Sequence, residues 1–117
     1  MYRVLLEFLF FNFCFSQNYY IYVAAESDDT VSVLKFDGET IEETDRITVG
    51  IMPTENEGPH GITIDPSGKY WYLTIAHGSP YGSLVKYSTQ NNEPLSKVEL
   101  GLFPATMEIS PKTGLIY

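Results

Sequence analysis

The chain has 117 residues, 15 of them acidic and 7 basic, giving a formal net charge of -8, with 15% aromatics and one cysteine. That charge offers no attractive field to nucleic acid or to an anionic membrane surface. A lone cysteine excludes a disulfide framework and a thiolate metal site in this stretch, and the length suffices for one small domain.

Residues 1–16 differ from the rest. Met1-Tyr2-Arg3 leads into Val4-Leu5-Leu6, then Phe8 to Phe11 and Phe13 to Phe15. A basic start, an apolar core and a small-residue end at Cys14-Phe15-Ser16 have the pattern of a secretory signal peptide cleaved before Gln17. This predicts a secreted or periplasmic protein. The stretch, broken by Glu7 and Asn12, is too short to span a bilayer, so no membrane contact is expected beyond it. The alternative is a hydrophobic first strand of a cytosolic domain.

The first unit occupies residues 19–50. Tyr20 to Ala25 and Val31 to Phe36 are Tyr- and Val-rich runs suited to a pleated, half-buried surface. The acidic run from Glu39 to Asp45 reads as a solvated hairpin edge that discourages edge pairing, or alternatively as a patch for a cation or partner.

The second unit, residues 58–101, is complete. Strands are predicted near Gly61–Ile64, Tyr70–Ile75, Ser83–Tyr87 and Ser96–Leu100, with a tight turn at Asp65-Pro66-Ser67-Gly68. Tyr70 to Ile75 is apolar on both alternating faces, the mark of a strand buried on both sides.

A third, truncated unit fills 102–117. Pro59 falls on Pro104, Ile62 on Met107, Ile64 on Ile109 and Tyr72 on Tyr117, a constant offset of about 45 residues. Upstream, Tyr20 to Ala25 answers Tyr70 to Ile75, and Val33 to Phe36 answers Leu84 to Tyr87. Short strands recurring at this period predict an all-β protein, a β-propeller seen as about two four-stranded antiparallel blades of a larger ring. A closed propeller needs four to eight blades, so residues 17–117 are expected to be its N-terminal part, with the missing C-terminal blades of the same chain as partners.

Tyr22-Val23-Ala24-Ala25 followed by Asp29-Thr30-Val31-Ser32-Val33, then Ile47-Thr48-Val49-Gly50, and Pro59-His60-Gly61-Ile62 followed by Asp65-Pro66-Ser67-Gly68-Lys69, resemble the YVTN-type β-propeller repeat. Ser67 and Lys112 replace its usual turn Asp, and the loop from Ile51 to Gly58 is longer than typical. The resemblance covers nearly everything from Tyr20 to Tyr117. It implies a ring of seven blades, like those of lactonase-like and quinoprotein-like proteins, and is specific for fold rather than activity.

Within a repeat, residues every blade needs should recur, whereas a functional residue stands in one copy. His60 is replaced by Ala105 in the next copy, and His77 has no histidine counterpart upstream. Both belong at the same end of the unit, His60 ahead of the innermost strand near the mouth of a central channel. His60 is the candidate metal ligand, and His60 with His77 the candidate ligand-binding pair. A neutral imidazole there suits copper, zinc or iron, or acts as a general base. Counting along the strands sets the two histidines roughly 13 Å apart, which disfavours their sharing one metal. The structural alternative has His60 capping a turn and His77 as a loop residue.

Glu26, Asp28 and Asp29 crowd one loop and suit either Ca²⁺ or a turn that bonds its own backbone. Tyr81 and Phe103 form an apolar lip or pack internally. The predicted function is an extracytoplasmic binding or scaffold propeller for a small molecule or protein ligand, holding a transition metal such as copper, or Ca²⁺. The alternative is a lactonase-like hydrolytic enzyme.

Overall fold

The structure, a computed structural model, describes residues 17–52, 54–77 and 81–117; the signal-like segment 1–16 lies outside them. The described residues form seven strands: β1 (Tyr19–Ala25), β2 (Thr30–Phe36), β3 (Ile41–Thr48), β4 (Pro59–Ile64), β5 (Tyr70–Ile75), β6 (Ser83–Ser88) and β7 (Pro94–Glu99). One 3₁₀ turn, Glu26–Asp28, joins β1 to β2. No described helix is long and apolar enough to cross a membrane.

The fold is all-β, with two antiparallel sheets whose strands pair in chain order, β1-β2-β3 and β4-β5-β6-β7, and neither sheet closes on itself. The second sheet has the four strands predicted for the complete unit. Some limits move: the first strand begins at Pro59, so that His60 lies inside it rather than ahead of it, the third extends to Ser88, and the last runs Pro94–Glu99. The first sheet has three strands rather than four, lacking a counterpart of β4 among the described residues. Glu39 to Asp45 leads into and along β3, an exposed edge strand in which Arg46 grips Glu43 through two contacts of 2.8 Å. At the end of the chain, Ile109 bridges Ile116 and Glu108 exchanges two backbone hydrogen bonds with Tyr117, which opens a third hairpin where the repeat predicts one.

The core lies between the sheets. Trp71, Leu73 and Ile75 of β5 and Val85 and Tyr87 of β6 pack with Val31 of β2, and Tyr22, Ala24, Ile47 and Val49 close over them. Register makes the stack: Trp71 is directly opposite Tyr87, and their rings lie 3.9 Å apart at 7°. Tyr22 from the other sheet meets Trp71 at 5.3 Å. Such aromatic pairs, one stacked and one tilted, add to the stabilisation from area burial. The indole N–H donates to Asn92 Oδ1 (3.2 Å), and Asn92 Nδ2 donates to Asp45 Oδ2 (2.9 Å), a polar tie across to β3.

One irregularity positions the site. Pro59 pairs with Ile75 and Ile62 with Leu73, so His60 and Gly61 together face the single residue Thr74. Two residues against one is a β-bulge, which bends the strand and re-aims its side chains. Thr74 Oγ1, fully enclosed, accepts the Gly61 N–H at 2.7 Å and so satisfies the amide that the bulge withdraws from the ladder.

Candidate metal centre

Three side chains converge where the two sheets meet. Glu26 begins the 3₁₀ turn at the end of β1, His60 is the second residue of β4, and His77 lies two residues beyond β5. Glu26 Oε1 is 3.0 Å from His60 Nε2 and 3.0 Å from His77 Nε2. All three candidate ligand atoms lie within 4.8 Å of one another.

The histidines are therefore much closer than strand counting predicts. Their ring centroids are 6.1 Å apart rather than roughly 13 Å. Two causes act together. The pairing of Pro59 with Ile75 puts His77 only two residues past that pair, and the bulge turns His60 toward the same end. Beyond β5 the ladder continues, Ala76 N donating to Gly58 O (2.8 Å) and His77 N to Glu57 O (2.9 Å). The His77 ring then folds back over Gly58, and a Cβ on Gly58 would run into it. Gly58 has φ +63, a left-handed conformation that glycine adopts without steric cost.

Gly58 is fixed from the first sheet. Asp29, itself left-handed at φ 49, follows the 3₁₀ turn, and its carboxylate accepts the N–H of Gly58 (2.9 Å) and of Glu57 (3.0 Å). The buried Glu57 carboxylate in turn accepts the N–H groups of Met52 (2.9 Å) and Ile51, which ties down the long loop. The acidic trio of the first unit is thus divided. Asp29 serves backbone amides, Glu26 faces the two imidazoles, and the three do not assemble an oxygen cage for Ca²⁺.

The electrostatics follow the geometry. The two imidazoles, His77 first and His60 second, hold the Glu26 carboxyl below the usual carboxylate range. His77 Nε2 makes a hydrogen bond to Glu26. His60 Nε2, equally near and itself buried, faces the same carboxylate oxygen at 3.0 Å, in a contact less well directed than that of His77.

The three ligand atoms form a group that could hold a metal ion. Ligand atoms about 2.1 Å from a metal stand about 3.0 Å apart at right angles and about 3.4 Å apart tetrahedrally. Both Glu26–histidine separations equal the right-angle spacing, which is also the length of an ordinary ion-paired hydrogen bond. Two imidazole nitrogens and one carboxylate oxygen suit zinc, copper or iron(II) rather than Ca²⁺ or Mg²⁺. Three protein ligands also leave coordination positions open.

Phe103 completes the surroundings, standing edge-on to His60 (5.2 Å between centroids, 66°) and to His77 (5.0 Å, 69°). Tyr81, paired with it in the apolar lip, instead lines a cleft of about 210 Å³ with Met52, Glu57, His77 and Lys97. Sequence reasoning assigned Glu26 to the wrong partners, because only the meeting of the two sheets brings it to the histidines. No protein-family model and no curated protein matches this chain.

Proposed function

We propose that the chain carries blades of a YVTN-type β-propeller that acts outside the cytoplasm as a binding protein, with a divalent transition metal held by Glu26, His60 and His77. The observation that carries this reading is the convergence of two imidazole nitrogens on one carboxylate oxygen at 3.0 Å each, all three ligand atoms lying within 4.8 Å of one another. The propeller and its placement rest on the repeat, on the two consecutive antiparallel sheets and on the signal-like residues 1–16. Open coordination positions beside the cleft at His77 leave room for a small ligand with an oxygen or nitrogen donor.

The same open positions favour a second reading, hydrolysis of a cyclic ester by metal-activated water. Lactone turnover by the metal-loaded intact protein would establish it, and lack of turnover with retained metal would leave the binding role.

The metal site is tested by calorimetric titration of the intact protein with Zn²⁺, Cu²⁺ and Co²⁺. One equivalent is expected to bind, with Co²⁺ giving a visible ligand-field band. His60→Ala, His77→Ala and Glu26→Ala should each weaken binding at least tenfold, since loss of even an outer-shell partner costs about 10–100-fold. Equal binding by the wild type and all three variants would refute the assignment.

A further inference from the structure

We infer that Phe103 is a positioning residue for this centre, a strained aromatic wedge that locks both imidazoles in their converging orientation. The inference rests on the metal reading above.

The repeat exposes the strain. Phe103 stands immediately before Pro104, as Gly58 stands before Pro59, and both are left-handed, at φ 50 and φ +63. The repeat demands this conformation at that place, and in the second unit glycine meets the demand freely. In the third unit a large aromatic residue adopts it, where the clash of Cβ with the backbone is unfavourable and the following proline narrows the choice further. Strain of this kind persists where surrounding structure over-determines it, and it gathers at functional sites.

The seat is rigid. Gly82 holds the place ahead of β6 that Asp29 holds ahead of β2, since each carbonyl accepts the amide that closes its sheet, Leu100 N and Val49 N respectively. Asp29 steadies Gly58 with its side chain, whereas Gly82 steadies the next junction by having none. A Cβ there would collide with the Pro104 ring and would lie 2.6 Å from the Ile75 carbonyl oxygen. Three residues on, Thr106 passes so close to β4 that a Cβ on Gly61 would be 3.0 Å from its Cα. Phe103 is thus pinned on its C-terminal side at two glycines, and its ring is driven against both histidines.

The ring has no donor atom, so its contribution is geometric. An imidazole free to rotate about its Cβ–Cγ bond loses part of its affinity to the entropy of being fixed, and a side chain already held loses less. One ring touching both imidazoles fixes both.

The test compares Phe103→Gly and Phe103→Tyr with the wild-type intact protein, using Cu²⁺ or Co²⁺ as the probe. Phe103→Gly should bind metal about 10–100-fold more weakly, the range for an outer-shell partner. The Cu²⁺ electron paramagnetic resonance signal should broaden as the ligand geometry disperses. Its metal-free melting temperature should stay level or rise, because glycine relieves the left-handed strain. Phe103→Tyr keeps the ring and should restore affinity to within about twofold of wild type and restore the narrow signal, by the same geometric argument. Wild-type affinity and spectrum in Phe103→Gly would overturn the positioning role while leaving the metal site standing. A lowered metal-free melting temperature in Phe103→Gly would reassign Phe103 to packing. Absence of metal binding in the wild type would overturn the centre and this role together.

Discussion

Asp29 joins the two sheets with one side chain. Its carbonyl accepts Val49 N (2.9 Å), and its carboxylate reaches across to the amides of Glu57 and Gly58. Hydrogen bonds to a charged acceptor are worth about 1.5–3 kcal/mol each, and the left-handed backbone at φ 49 adds a penalty for any residue that does not tolerate it. Asp29→Ala should therefore lower stability by about 2–4 kcal/mol. Asp29→Asn keeps one acceptor and the tolerance for left-handed backbone, so it should lose about half as much. Urea unfolding read at unchanged slope separates these outcomes; equal stability of Asp29→Ala and wild type would mean that the carboxylate does not carry the junction. At this scale the sequence is half legible. Histidines present in one copy of a repeat and absent from the other stand out by comparison alone. Asp29 and Glu26 do not, because their partners lie 28 or more residues away, and an Asp-rich turn looks the same whether it binds its own backbone, a cation or a neighbouring sheet.

Among the elements, strand identity is the most legible property and register the least. β5 is recognisable as YWYLTI because a strand buried on both faces needs apolar residues at successive positions, and β7 is recognisable only loosely because its side chains are all exposed. The bulge in β4 has no sequence signature beyond Gly61, yet it decides where His60 points. Its cost is offset by Thr74, whose hydroxyl replaces the ladder partner of the Gly61 N–H. Thr74→Val keeps the shape and β-propensity of the side chain while leaving that buried amide unpaired, a loss of about 1–3 kcal/mol. A purely structural role for the bulge would end there. Since His60 is aimed by the same two residues, Thr74→Val should also weaken metal binding, by about the 10–100-fold of an outer-shell defect. Stability lost with affinity intact would show that His60 is aimed by something other than the bulge.

For the molecule as a whole, the repeat makes the order of strands legible from Tyr20 onward, but it says nothing of how one sheet is set against the next. That setting is a property of the core, in which Tyr22 meets Trp71 and Val31 packs among side chains of β5 and β6. The proposed metal centre depends on it, because Glu26 follows a strand of the first sheet and both histidines belong with the second. A bound ion would therefore act as a clasp between sheets. A ligand that binds only the folded state stabilises it by RT ln(1 + [L]/Kd), about 2.7 kcal/mol at a concentration of 100 Kd. The intact protein should accordingly melt at a higher temperature with Zn²⁺ than with chelator. Glu26→Gln should abolish most of this gain although both histidines remain. Hydrogen exchange locates the effect: metal should slow exchange at the amides of β1 and the 3₁₀ turn as well as at β4 and β5, and in Glu26→Gln the slowing should shrink to β4 and β5. Protection confined to β4 and β5 in the wild type would mean that the ion sits on the second sheet alone, with Glu26 a bystander. Protection on both sides would make each sheet's position a condition of the other's chemistry, so that any change loosening the Tyr22–Trp71 contact would weaken metal binding without touching a ligand.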